Sequence, residues 1–183
     1  MTIALDQNPT PLFPKELLSQ ACFSERWYVA HVKSRREKAL ADFLYKHAIA
    51  YYLPLVKKRQ ASRNRIRYSL VPVFSGYVFV NGSVTDRYNA LRSNHVGRII
   101  EVVDADTLVR ELRQINRALS AEKPIYPVEF LNVGQKVRVK KGLMKGVEGI
   151  IVRKDNKYRL VLAVSSIMQS VSVEIDADMV ETV

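Results

Sequence analysis

The apolar positions of this chain change period several times, and each change marks an element. Trp27 to Val32 reads as a strand. Ser34 stands three residues before Glu37, the spacing of a capping box at a helix start. Leu40, Phe43, Leu44 and His47 or Ala48 then recur at three- and four-residue spacing, which predicts an amphipathic helix over 35–48. Ala50 to Val56 is a second strand, stopped or bent at Pro54, and 57–67, KKRQASRNRIR, reads as a polar connection. Tyr68 to Val73 and Gly76 to Val80 are two further strands, parted by a bend at Phe74-Ser75. A short helix is predicted over 84–92 and a strand over 97–103. A last helix, capped by Asp104 or Asp106, puts Leu108, Leu112, Ile115 and Leu119 on one face and Arg110, Arg113 and Arg117 on the other. This order predicts an α+β domain, an antiparallel sheet layered with helices.

Residues 120–131, with Pro124 and Pro127, read as a linker that proline stiffens. Beyond it only strand patterns remain. Val137 and Val139 alternate with Lys136, Arg138 and Lys140, and Gly142, Gly146 and Gly149 punctuate the bends that follow. Ile150–Arg153, a turn at Asp155-Asn156, Tyr158–Val164 and Val171–Ile175 follow, and the stretch is predicted to hold five short strands in all, a small SH3-like barrel. Residues 1–25 read as an extension: either a disordered or loosely docked tail, or a short helix over Lys15 to Phe23 against the first domain. The expected division is therefore 1–25 extension, 26–119 first domain, 120–131 linker and 132–183 barrel.

Charge changes this picture by pointing at partners. The chain carries 29 basic and 18 acidic residues, a formal charge of +11. Twelve basic and two acidic residues fall within 26–70, so this stretch alone holds a net +10. Residues 1–25 give −2, 71–120 give +1 and 121–183 give +2. Lysine and arginine neutralise phosphate and release its counterions, so a concentrated excess points to nucleic acid. A single cysteine, Cys22, cannot form an internal disulfide, and His31, His47 and His95 stand alone with no metal-ligand spacing. With no apolar run of membrane-spanning length and no basic leader, a cytoplasmic chain is expected. No nucleophile–base pair or phosphate-binding glycine loop is visible, so no enzymatic activity, cofactor or metal is expected.

Trp27-Tyr28-Val29, FSGYVFV (Phe74 to Val80) and VGQKVRVKKGLMKGVEGIIV (Val133 to Val152) together resemble the NusG family of transcription elongation and antitermination factors. The last of these is similar to a KOW motif, whose glycines permit close strand crossing. The resemblance runs over 26–183 in order and implies an N-terminal NGN domain, a linker and a KOW domain. HVKSRREKALADFLYKHAIAYYLPL (His31 to Leu55) is most similar to the specialised RfaH- and UpxY-like paralogues.

What the resemblance implies is a monomeric, non-enzymatic factor. Its N-domain binds the clamp helices of the largest RNA polymerase subunit through His31, Phe74, Tyr77 and Phe79, the other reading of the last three being core residues of a strand. Ser75 stands where the family usually has proline. The positions matching those that contact the non-template DNA strand are Lys33, Lys46, Asn89 and Arg92, with Ala39 where the specialised paralogue has an arginine. Arg35, Arg36 and Lys38 stand with Lys33 at the helix start, where backbone N–H groups also favour phosphate, and either join that nucleic-acid surface or form a solvated helix face. Thr85 to Arg87 matches the segment that meets the polymerase gate loop. The basic connection, Lys57, Lys58, Arg59, Arg63, Arg65 and Arg67, corresponds to a hairpin tip, reaching upstream DNA or emerging RNA or remaining a solvated loop. Ser165 to Met168 corresponds to the loop where the housekeeping factor offers a phenylalanine, then a glycine, to Rho or a small-subunit ribosomal protein; here Ile167 and Met168 take that place. The other readings are a housekeeping role, coupling polymerase to Rho or the ribosome, and a KOW protein binding ribosomal RNA.

Overall fold

Tyr28, Ala30 and Val32 on one side of β2 (Arg26–Val32) and Trp27 and Val29 on the other are apolar, so the strand can be buried on both faces, and it lies inside a five-stranded antiparallel sheet. The computed structural model describes residues 8–19, 25–62, 65–121, 125–128, 134–154 and 157–183. The sheet order is β1-β3-β6-β2-β7, with β1 (Leu12–Phe13), β3 (Ala50–Tyr52), β6 (Tyr77–Gly82) and β7 (Val96–Glu101). Tyr28, Ala30 and Val32 of β2 and Val78 and Val80 of β6 face one way. Leu40, Ala41 and Leu44 of helix α1 (Glu37–Lys46) and Ala90 of α2 (Val84–Arg92) cover them.

The extension is partly strand. Residues 8–19 are ordered: β1 pairs with β3 through Leu12 opposite Tyr52 and Phe13 opposite Tyr51. Leu53 N–H donates to the Pro11 carbonyl at 2.7 Å and the Tyr51 hydroxyl to the Thr10 carbonyl at 2.8 Å. The Phe13 ring meets Tyr45 edge-on at 5.0 Å, and Leu17 and Leu18 are buried. Residues 15–19 form turns, not the start of a helix. Phe23 and the rest of that expected helix lie outside the described residues.

The predicted polar connection is a hairpin. β4 (Leu55–Ser62) and β5 (Arg65–Pro72) pair along their whole length as a separate two-stranded sheet, from Leu55 opposite Pro72 to Ser62 opposite Arg65. Pro54 parts β3 from β4, as the sequence predicts. Periodicity missed the β4 half of the hairpin because 57–62, KKRQAS, is a polar run with a single alanine and no apolar alternation to count.

The chain divides into two compact units, Met1–Ala105 and Asp106–Val183. The break falls at the start of α3 (Ala105–Ser120), where the sequence carries the first domain on to 119. The second unit holds α3 and a six-stranded antiparallel sheet of order β13-β9-β10-β11-β12-β8. Its strands are β8 (Ile125–Val128), β9 (Gln135–Val139), β10 (Glu148–Lys154), β11 (Lys157–Val164), β12 (Gln169–Glu174) and β13 (Val180–Thr182). Val137, Val139, Val147, Leu160, Leu162, Val171 and Val173 are buried in it. β8 comes from the expected linker: Ile125 to Val128 pair with Val173 to Ser170. The α+β class stands, with a C-terminal β unit.

Candidate functional site

The turn between β5 and β6 positions the first group. Gly76 sits at φ +84°, a left-handed conformation that glycine adopts without strain. Its N–H donates to Oε1 of Glu37 at 2.8 Å, and its carbonyl accepts from Val32 N–H at 2.8 Å. The turn that has Ser75 in place of the family's proline is thus held by a carboxylate on α1. Glu37 is only 8% exposed, so it gives up solvent to make this contact. The capping box expected at Ser34 and Glu37 does not form. α1 begins after Arg36 without a side-chain cap, and a capping box forms instead at Ser83 and Asp86, opening α2.

Tyr77 follows the turn and stands opposite His31 on β2. The two rings meet edge to face at 5.3 Å and 79°, both half-buried. Phe74 and Phe79 meet perpendicular at 6.2 Å, and Tyr52 lies 6.5 Å from Phe79. Both phenylalanines are buried, at 1% and 0% exposure. Of the four residues assigned to one apolar surface, the structure leaves His31 and Tyr77 partly accessible.

The basic residues gather at the start of α1. Lys33, Arg35 and Arg36 are exposed on the loop from β2. Lys33 N–H donates to the His95 carbonyl at 2.9 Å and its Nζ to Oδ1 of Asn94 at 2.6 Å, so this loop is tied to the chain just past α2. Arg92 is exposed and Asn89 half-buried on α2. Lys46 lies at the far end of α1, about 15 Å along the helix, and pairs with Asp42 at 2.7 Å. Lys38 turns away from this group. Its Nζ donates to Oδ1 of Asn8 and to the Leu70 carbonyl, each at 2.6 Å, joining the extension, α1 and β5. Burial pushes its ammonium below the ordinary lysine value, against the opposing pull of Glu37. On the hairpin, Lys57 Nζ lies 4.5 Å from the Tyr68 ring centroid, with Lys58 exposed beside it. Backbone register puts Arg59 opposite Tyr68 and Arg67 opposite Gln60, while Arg63 lies outside the described residues.

In the second unit, Ser165–Ile167 form a single 3-10 turn. Glu111 of α3 caps its start, accepting from Ser165 N–H at 3.0 Å and from Ser165 Oγ at 2.6 Å. Gln114 Oε1 accepts from Glu148 N–H at 2.6 Å. Ile167 is buried and Met168 is 72% exposed, so the apolar tip is Met168 alone. Met168 sits at φ 50°, a left-handed conformation that favours glycine. Met168→Gly is therefore expected to raise the stability of this unit by about 1 kcal/mol, the left-handed penalty of a side chain. Thermal unfolding measures it, and an unchanged midpoint would mean the turn stores no strain.

A family model described as transcription termination factor NusG matches residues 25–137, which include β2 to β7, α1, α2 and the basic loop. The chain belongs to the NusG family. No curated relative matches it. NusG membership makes it a transcription elongation or termination factor in the general sense, from a family of non-enzymatic factors that bind RNA polymerase. No helix among the described residues is long and apolar enough to cross a membrane. In this NusG-family chain, Glu37 and Glu111 are the two positioning residues that pattern alone misses. Each is a carboxylate whose partner backbone N–H is 39 or 54 residues away in sequence, beyond any local signal.

Proposed function

We propose that this protein is a processivity factor that holds the clamp helices of the largest RNA polymerase subunit and steadies the non-template strand, reducing pausing and termination. The family match over the residues that build the sheet carries the reading. The His31–Tyr77 pair offers the accessible aromatic edge of the clamp contact, with Phe79 buried two residues along the same strand and Phe74 packed edge-on against it. Lys33, Arg35, Arg36, Asn89 and Arg92 form the strand-binding surface, and Lys46 extends it along α1. The C-terminal unit recruits a second machine, Rho or a small-subunit ribosomal protein, through Met168 and its supporting Ile167. Tethering on one chain keeps that partner at high effective concentration. The unbroken similarity of His31 to Leu55 to the specialised paralogues supports an operon-directed antiterminator over a housekeeping factor.

Pull-down of purified RNA polymerase tests the clamp contact. His31→Ala with Tyr77→Ala is expected to weaken binding about thirtyfold, the ~2 kcal/mol typical of a central interface aromatic. Circular dichroism should show the sheet retained. Unaltered polymerase binding by a folded double variant would move the contact off this strand pair.

A further inference from the structure

Helix α2 carries an aromatic ring that the fold does not use. Tyr88 is 57% exposed, and among the described residues its hydroxyl makes no hydrogen bond. A single exposed tyrosine is ordinary; its surroundings are not. The Arg87 guanidinium lies 5.7 Å from the ring centroid, so one side of the ring is faced by a cation. Arg92 is four residues on from Tyr88 and three on from Asn89, hence a neighbour of both on the helix surface. One residue past the helix's Ser93 cap, Asn94 binds the Lys33 ammonium and brings a further cation to that end. The nearest carboxylate on the helix, Asp86, is engaged by the Ser83 N–H and hydroxyl at 2.9 and 2.7 Å. The doubly satisfied capping box and the C-terminal bonds of Ser93 make α2 a firm platform.

We infer that Tyr88 is a stacking platform for one unpaired base of single-stranded DNA, with Arg92 and Lys33 holding the flanking phosphates and Asn89 beside the base edge. Every base has a π-face, so a ring presented between cations suits an unpaired strand and not a duplex, whose bases are already stacked. This rests on the strand-binding reading above and adds to it the residue that takes a base.

Fluorescence anisotropy of the full chain with a labelled single-stranded oligonucleotide tests it. Tyr88→Ala should weaken binding roughly tenfold, within the 1–3 kcal/mol range of one stacked base. Its salt dependence should not change, because no charge is lost. Tyr88→Phe should bind within about twofold of the parent, because stacking needs the ring and not the hydroxyl. Arg92→Ala should instead make the slope of log affinity against log salt shallower by about 0.7, the value of one phosphate on a single strand. Scanning an abasic site along the oligonucleotide should find one position where loss of the base costs as much as Tyr88→Ala and adds nothing to it. Should the parent chain bind single strands without salt dependence, the strand-binding reading itself falls. With salt-dependent binding intact in the parent and unchanged in Tyr88→Ala, this inference alone is overturned. Unchanged DNA binding with weakened polymerase pull-down would assign the ring to a protein contact instead. An RNA oligonucleotide of the same sequence bound more tightly, with the same loss in Tyr88→Ala, would overturn the assignment to DNA.

Discussion

Gly149→Ala is expected to destabilise the C-terminal β unit strongly while the N-terminal sheet keeps its amide protection. Gly149 lies on β10 opposite Val137 of β9, with β11 on the other side. A Cβ there would sit 2.5 Å from the Val161 carbonyl oxygen and 3.0 Å from the methyls of Leu160 and Leu162. The oxygen belongs to the backbone of a paired strand, and both leucines are buried, so none of the three can yield cheaply. Forcing a methyl into such a site costs about 3 kcal/mol. For a unit of this size that lowers the melting temperature by roughly 15 °C. Hydrogen exchange should show protection lost from β9 to β12 and kept in β2, β6 and β7. A melting temperature equal to the parent's would mean that β10 and β11 separate more easily than their register implies.

That glycine was legible in the sequence, because a KOW-like segment places it where strands cross closely. The alternation of Lys136 to Lys140 was legible for the same reason: one face is buried and the other is solvated. So was the sharing of a face by Tyr77 and Phe79. What alternation does not contain is which members of a face are covered. Phe79 is fully buried and Tyr77 is not, though both are aromatic and two residues apart. The Ser34–Glu37 spacing shows how a local signal loses to a distant one. A capping box offers a glutamate one backbone N–H of its own helix, whereas Gly76, in a turn without the family's proline, offers another in a buried setting. The distant donor wins here, whereas Ser83 and Asp86 form the reciprocal box that opens α2. Charge alone does not show where Lys38 turns: it sits amid the basic stretch, yet its two acceptors, Asn8 Oδ1 and the Leu70 carbonyl, are inside the molecule.

The same lysine leads to the other large effect, the loss of the extension. A chain lacking residues 1–19 is expected to lose several kcal/mol of stability. Leu17 and Leu18 are 1% and 4% exposed, and burying one leucine is worth about 1.5–3 kcal/mol. Truncation also removes the β1 pairing with β3, takes the Thr10 acceptor from Tyr51, and takes Asn8 from Lys38. Burial holds the Tyr51 hydroxyl well above the usual phenol range, and without Thr10 that buried donor faces the larger desolvation cost of an unmet bond. Leu53 N–H, which donates to Pro11, gives a site-specific readout: its exchange should speed up by orders of magnitude more than that of Val29 N–H at the sheet centre. β3 would then be an open edge carrying Tyr51 and Tyr52, a template for pairing with another chain, so concentration-dependent association should accompany the loss. Exchange at Leu53 unchanged by truncation would show that β1 adds no protection. The extension would then be an appendage and not the fifth strand of the sheet.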